Sequence, residues 1–542
     1  GDSEKMYLSA MEIRRRLAVA NPQAYEPGLA MTQNNLGNLY RDTQRYGDSE
    51  KMYLSAMEIR RRLAAANPQV YEPDLARAQN NLGNLYSDTQ RYKDSEKMYL
   101  SAMEIYRRLA SVNPQVYEPD LAMTQYNLGC LYKDTQRYED SEKMYLSAME
   151  IRRRLAAANP QVYEPDLARA QNNLGNLYSD TQRYKDSEKM YLSAMEIRRR
   201  LAAANPQVYE PDLAEIQNNL GSLYGKTQRY GESEEMYLSV LTVYQWLTIA
   251  NPQVYEPDLA RTQNNLGNLY SDTQRYKDSE KMYLSALEIY QRLAAANPQV
   301  YEPDLARTQN NLGCLYYNIR RYEDSEKMYL SAMEIYRRLA SVNPQVYEPD
   351  LAMTQNNLGC LYYNIRRYED SEKMYLSVME IYRRLAAANP QVYEPDLATT
   401  QYNLGCLYYN IQRYEDSEKM YLSAMEIRRR LAAANPQVYE PGLVRACNNL
   451  SFLFLAQGNF EEAERYTREG SKYDSTHHTV YTNLAASLLF QGRYAEAEEI
   501  YLRYKEELKE DFLSDFEDFY RRGIIPPERE DDVERIKKLL SK

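Results

Sequence analysis

Apolar residues recur along the chain at spacings of three and four. Asp48–Leu63 shows the pattern most plainly: Met52, Tyr53, Ala56, Met57, Ile59 and Leu63 share one face of a helix. Asp48-Ser49-Glu50 ahead of that stripe predicts an acidic N-cap and first turn, and Arg60, Arg61 and Arg62 suit the far end of the helix dipole. Asn67-Pro68 predicts the stop. A second helix is predicted from Pro73, where the missing N–H has no intrahelical partner to lose, to about Thr89, with Leu82, Leu85 and Tyr86 as its apolar face. Residues 67–72 are read as the connector. Gly83 falls in mid-helix, where it costs about 1 kcal/mol against alanine, and predicts a close approach of the partner helix. No stretch alternates with period two, so no strands are expected.

This pair of helices is one copy of a 46-residue unit. The unit begins at Gly1 and restarts at Gly47, Lys93, Glu139, Lys185, Gly231, Lys277, Glu323, Glu369 and Glu415, ten copies without insertion or deletion. A fixed period of this length predicts a solenoid in which each unit packs mainly on its neighbours, so the fold class is all-α, with antiparallel helix pairs. Residues 1–460 form the ten-copy array. Leu450 and Leu484 are 34 residues apart, and 461–510 reads as a degenerate shorter repeat. Residues 511–542 read as a helical cap, with the preceding helix continuing to about Lys509 and a break at Gly523–Pro527. Gly1–Ala20 is a second helix without its first, which predicts further protein before Gly1, either more repeats or another domain.

Composition narrows the function. The net charge of −11 argues against a general nucleic-acid or membrane-surface binder, and no apolar run approaches the roughly 18 residues of a membrane helix. Cys130, Cys314, Cys360 and Cys406 occupy one slot of different copies, spaced beyond the roughly 7 Å Cα limit for a disulfide. Free thiols point to a reducing compartment, and the cytoplasm is the expected location. No phosphate-cradling loop, nucleophile elbow or metal-binding pair occurs, so no catalytic, cofactor or metal residues are assigned. His477 and His478, the only histidines, are expected in a solvent-exposed turn.

Leu36-Gly37-x-x-Tyr40, followed by Tyr46, Tyr53 and Ala56, resembles the tetratricopeptide repeat family, with Ser49 in place of its usual alanine and Gln44 in place of its turn glycine. The long unit with Asn-Asn-Leu-Gly-x-Leu-Tyr is most similar to the kinesin-light-chain-type variant. The resemblance implies a right-handed superhelix with a concave, ligand-holding face and no enzymatic activity. In the first copy, that face carries the positions that differ most between copies: Met31, Asn34, Asn38 and Arg41. Drift at an exposed surface is the alternative reading. Early copies are polar there, with Arg77 and Arg169; later ones turn aromatic and thiol-bearing, with Tyr317, Tyr363, Tyr402 and Tyr409 beside the cysteines. That gradient predicts two ligand segments or two ligands.

Beside this stripe runs an unbroken asparagine ladder: Asn35, Asn81, Asn127, Asn173, Asn219, Asn265, Asn311, Asn357, Asn403 and Asn449. An amide both donates and accepts, which suits an extended peptide backbone; a hydrogen bond between helices is the other reading. The resemblance favours the first, because similar ladders line the groove in O-GlcNAc transferase and kinesin light chain. Arg77, Arg169, Arg261 and Arg307 on the stripe, with the Arg62 and Arg108 slot at its edge, predict a mildly positive groove and an acidic or neutral peptide. Trp246, the only tryptophan, replaces arginine at the Arg62 slot and is either local repacking or an apolar anchor. The expected function is a protein-interaction scaffold that binds an extended polypeptide, with no nucleic-acid or membrane partner. The alternative is a sensor or autoinhibitory module of a larger signalling or defence enzyme, an NTPase or caspase-like protease, with its catalytic domain before Gly1. Long arrays of near-identical copies suggest a bacterial source.

Overall fold

In the computed structural model, which describes residues 2–473 and 479–541, the chain is an array of paired helices, with no strand among the described residues. Two compact units, Gly1–Leu269 and Tyr270–Lys542, are distinguished. His477 and His478 lie outside the described residues. Helices that open on proline are called A here: Pro22–Asp42, Pro68–Asp88, Pro114–Asp134 and so on to Pro436–Ala456. Helices that open on tyrosine are called B: Tyr46–Ala66, Tyr92–Val112, Tyr138–Ala158 and so on to Tyr414–Ala434. Within each unit the helices pack mainly on the helix before and the helix after.

Three expected boundaries move. Helix A starts at Pro68, not Pro73, and the connector is the single residue Asn67. Asn67 closes the B helix through its N–H to Leu63 O at 2.8 Å, and its own carbonyl accepts from Tyr71 N at 3.2 Å. Pro73 then lies inside the helix, where it removes the bond to the carbonyl four residues back. That carbonyl belongs to the exposed Gln69, so water can satisfy it. Helix B starts at Tyr46, so Asp48 is not its N-cap. The Asp48 carboxylate instead accepts from the Arg45 guanidinium at 2.8 Å, while that guanidinium covers the Tyr40 ring at 4.1 Å. The C-terminal helix breaks at Tyr504, between Tyr494–Arg503 and Lys505–Arg522, where Tyr504 stacks on Tyr481 at 4.2 Å.

The apolar stripe of the B helix is the core: Tyr53 and Met57 are buried with Leu82 and Leu85 of the next A helix, and Ala56, Ile59 and Leu63 with Leu29 and Ala30 of the one before. On Asp2–Ala20 the matching Met6, Ile13 and Leu17 are exposed. The mid-helix glycine has a defined contact. An alanine Cβ at Gly83 would fall 2.7 Å from the Tyr99 ring, and the same clash recurs at Gly37, Gly129, Gly175, Gly221, Gly313, Gly359 and Gly405 at 2.6–2.9 Å. The partner is a tyrosine side chain rather than a backbone. Beside it, the buried Ser95 hydroxyl donates to Gly83 O at 2.8 Å, which is why serine stands where the family has alanine. Adjacent repeats are joined at the other edge: Tyr86 Oη donates to Glu50 at 3.0 Å and Arg91 to the same carboxylate at 2.7 Å.

The A–B turn holds a non-glycine residue with positive φ in nine copies, including Gln90 (58°), Gln136 (59°) and Gln182 (59°), and Gly458 in the tenth. The left-handed region costs an L-residue roughly 1–2 kcal/mol, and the shorter repeat uses Gly492 there. Replacing Gln90, Gln136 and Gln182 together by glycine is expected to raise the unfolding midpoint in urea, by about 1 kcal/mol per site. A lowered midpoint would contradict the turn assignment.

Candidate ligand-binding face

The A helices carry the stripe and ladder residues singled out in the sequence. Their neighbours resolve them into parallel rails that cross from one A helix to the next. The ladder asparagines are half-buried. Asn81 Nδ2 donates to Asn34 Oδ1 at 2.9 Å, Asn219 to Asn172 at 3.0 Å, Asn265 to Asn218 at 3.0 Å, Asn357 to Asn310 at 3.2 Å and Asn403 to Asn356 at 3.2 Å. Where tyrosine takes the acceptor slot, Asn173 donates to Tyr126 Oη at 2.5 Å and Asn449 to Tyr402 Oη at 2.9 Å. Asn127 uses Asn84 instead, at 3.2 Å. One amide N–H of each of these side chains is thus committed to holding neighbouring repeats in register; the second N–H and the oxygen are additional valences. Asn483 donates to Asn448 Oδ1 at 2.8 Å and carries the rail into the shorter repeat, a continuation missed in the sequence because the period drops to 34.

The next slot faces the B helix. Tyr53 and Tyr99 donate to Asn38 and Asn84 at 2.6 Å, and Tyr145, Tyr329, Tyr375 and Tyr421 donate to the thiols of Cys130, Cys314, Cys360 and Cys406 at 3.2–3.3 Å. Burial pushes these thiols up from their ordinary pKa, so they stay protonated acceptors rather than reactive nucleophiles. The outermost slot forms a further rail. Arg41 pairs with Asp88 at 2.5 Å and Lys133 with Asp180 at 3.0 Å; Asn364 and Asn410 donate to the hydroxyls of Tyr317 and Tyr363. Tyr409 has Ala456 where the next asparagine would stand, and there Arg522 of the C-terminal helix donates to its hydroxyl at 2.9 Å.

The exposed stripe arginines are bridged along their own helices. Arg77 pairs with Asp74 at 3.3 Å, Arg169 with Asp166 at 2.7 Å, Arg261 with Asp258 at 2.7 Å and Arg307 with Asp304 at 3.0 Å. The edge slot is paired as well, Arg62 with Glu26 at 2.8 Å and Arg108 with Glu72 at 2.7 Å. Trp246 takes that slot in its own copy and is 51% exposed.

One group of functional-face residues was misread. Arg60, assigned to the helix dipole, is buried, as are Arg152, Arg198 and Arg428 in the same slot. Their guanidinium groups reach between A helices: Arg198 Nη1 meets Asp212 at 2.8 Å and Nη2 donates to Pro165 O at 2.9 Å. Burial pulls their pKa down without discharging them. The signal was present, because the other copies put a buried tyrosine there, such as Tyr106 and Tyr336. Arginine and tyrosine share a flat, polar-tipped shape. Around Tyr126 the cluster opens as a cavity of about 140 Å³, lined by Arg169, Asn172, Asn173, Arg198, Asp212 and Glu215.

A family model described as tetratricopeptide repeat matches residues 28–108, 74–154, 166–246, 258–338 and 350–430, and a second model of the same description matches 453–511. The chain belongs to the tetratricopeptide repeat family. Among solved structures it is similar to BtubC (BKLC) from P. vanneervenii, at 26% identity over 44% of this chain and 89% of that one, with a TM-score of 0.38. It is similar to a signal transduction ATPase with numerous domains and a tetratricopeptide repeat sensor from Pyrococcus horikoshii, at 16% identity over 69% of this chain and 54% of that one, with a TM-score of 0.46. It is also similar to the apo quorum sensor NprR from B. thuringiensis, at 14% identity over 72% and 99%, with a TM-score of 0.46. No curated protein sequence matches the chain. Among the described residues, no group of three or more side chains is arranged to hold a metal ion, and no helix is long and apolar enough to cross a membrane.

The rails predict a measurable coupling. In a double-mutant cycle, Asn310→Ala and Asn357→Ala are expected to show an interaction energy of about 0.5–1.5 kcal/mol in urea unfolding. Strict additivity would mean that the amide pair does not hold the repeats together.

Proposed function

We propose that the A-helix faces bind an extended polypeptide segment, acidic or neutral, and that the chain is a non-catalytic interaction scaffold. The observation that carries this reading is a division of labour across the face. Its inner positions are spent on rails between repeats, whereas the slot at Met31, Arg77, Arg169, Glu215, Arg261, Arg307, Met353, Thr399 and Arg445 is exposed in every one of these copies. That slot also varies in chemistry, from arginine through methionine and threonine to a carboxylate. A surface with a uniform frame and variable exposed side chains suits sequence-selective contact. The remaining ladder valences supply backbone contacts, and Tyr317, Tyr363 and Tyr409 supply aromatic ones.

Capture from a lysate of the source cell tests this. The comparison is a variant with Arg77, Arg169 and Arg261 changed to Glu, all exposed and outside the rails. Its melting should match the parent, and a protein partner retained by the parent should be lost. Retention of the same partner by the variant, or capture of none by the parent, would count against the proposal.

A further inference from the structure

The slot that holds a buried arginine or tyrosine is followed by an aspartate in most copies, a counter-ion where the slot is Arg60, Arg152 or Arg198. The aspartate lies fourteen residues further on, at Asp74, Asp120, Asp166, Asp212, Asp258, Asp304, Asp350 and Asp396. Asp166 faces two arginines: its carboxylate binds the exposed Arg169 at 2.7 Å, and the buried Arg152 feels its charge and donates from Nη1 to its backbone carbonyl at 3.2 Å, while Asp212 binds the buried Arg198 at 2.8 Å. Glycine replaces it at Gly28 and Gly442 only. At Gly28 the consequence is small. The stripe residue there is Met31, and Arg14 Nη1 donates to Gly28 O at 2.7 Å and to Thr32 Oγ1 at 2.5 Å.

At Gly442 the consequence is large. Both arginines are present, Arg428 buried and Arg445 exposed, and the threonine slot is Ala446. Arg428 Nη1 donates to Gly442 O at 2.9 Å, its guanidinium stands 4.9 Å over the Tyr402 ring, and a Cβ on Gly442 would lie 3.3 Å from its Nε. Among the described residues neither guanidinium has an ion pair. Arg445, a second cation, opposes the charge of Arg428, and Tyr402 and Cys406 beside it are neutral. Two guanidinium groups therefore share one missing carboxylate at the aromatic end of the face.

We propose that Arg428, Arg445 and the face of Tyr402 form a carboxylate site, which takes an aspartate or glutamate side chain of a bound polypeptide in the place that the repeat aspartate fills elsewhere. This rests on the reading of the A-helix face as a ligand surface. The fit is to a carboxylate because the chain itself puts one there in eight copies, and because a guanidinium pairs with it through charge-assisted hydrogen bonds.

The test uses the full chain and two acetylated, amidated synthetic peptides, one of alternating alanine and glutamate and one of alternating alanine and glutamine, titrated by calorimetry at fixed ionic strength. The glutamate peptide should bind at least tenfold more tightly than the glutamine peptide. Gly442→Asp, which supplies the missing carboxylate from within, should remove that preference without lowering the melting temperature. Arg445→Gln should weaken the glutamate peptide and leave the glutamine peptide unchanged. Equal binding of the glutamate peptide by the parent and Gly442→Asp would overturn the carboxylate site and leave the face reading intact. Equal binding of both peptides by the parent would also overturn the site. Absence of binding by both would overturn the two readings together.

Discussion

Everything in the array depends on how closely an A helix lies against its B helix, and that distance is set by a glycine under a tyrosine ring. At Gly83 there is no room for a methyl group below Tyr99. The missing side chain lets the ring lie flat on the A helix and lets Ser95 reach the glycine carbonyl. The contact recurs along each of the two compact units, so the spacing is reproduced from pair to pair within them. In the first shorter repeat the sizes change together. Ser451 takes the glycine slot and donates to Ala463 O at 2.9 Å, and Thr467 takes the tyrosine slot. The hydroxyl has moved to the other helix, and the ring has gone with the glycine that made space for it.

With the pair fixed, neighbouring repeats are tied by polar groups at half-buried positions. Amide to amide, tyrosine to asparagine and arginine to aspartate are variations on one lateral connection. A buried polar group without a partner is costly, so these rails are made of paired groups. The unchanged ladder asparagine accommodates either acceptor, pairing with Tyr126 and Tyr402 through Asn173 and Asn449, and Tyr409, which lacks its asparagine, is met by Arg522. In the proposed reading, ligand contact falls to what the rails leave over: an exposed slot whose chemistry differs from copy to copy, and the place at Gly442 where two arginines lack the repeat aspartate.

The period made the fold legible in the sequence, because ten aligned copies show directly which positions are held and which vary. The start of helix A was not legible, because Asn67 closes one helix and opens the next, and a proline at Pro73 normally marks an end. Asp48 carries the chemistry of a cap but is bound by Arg45 inside the first turn. The candidate face was found as a set of positions, yet its internal bonding was hidden. Whether Asn34 points to a ligand or to Asn81 depends on the neighbouring helix, and spacing along one helix carries no information about that. The buried arginines were hidden for the same reason, since arginine in a last turn suits the dipole equally well.

Hydrogen exchange on a Gly175→Ala variant tests the central claim most directly. The alanine methyl would sit 2.6 Å from the Tyr191 ring, so the pair Pro160–Asp180 and Tyr184–Ala204 must separate. Faster exchange confined to that pair and its immediate neighbours, with the helices near Gly37 unchanged, is the result the account predicts. Unaltered protection in the substituted pair would contradict it, because the spacing of the helices would then not depend on the glycine.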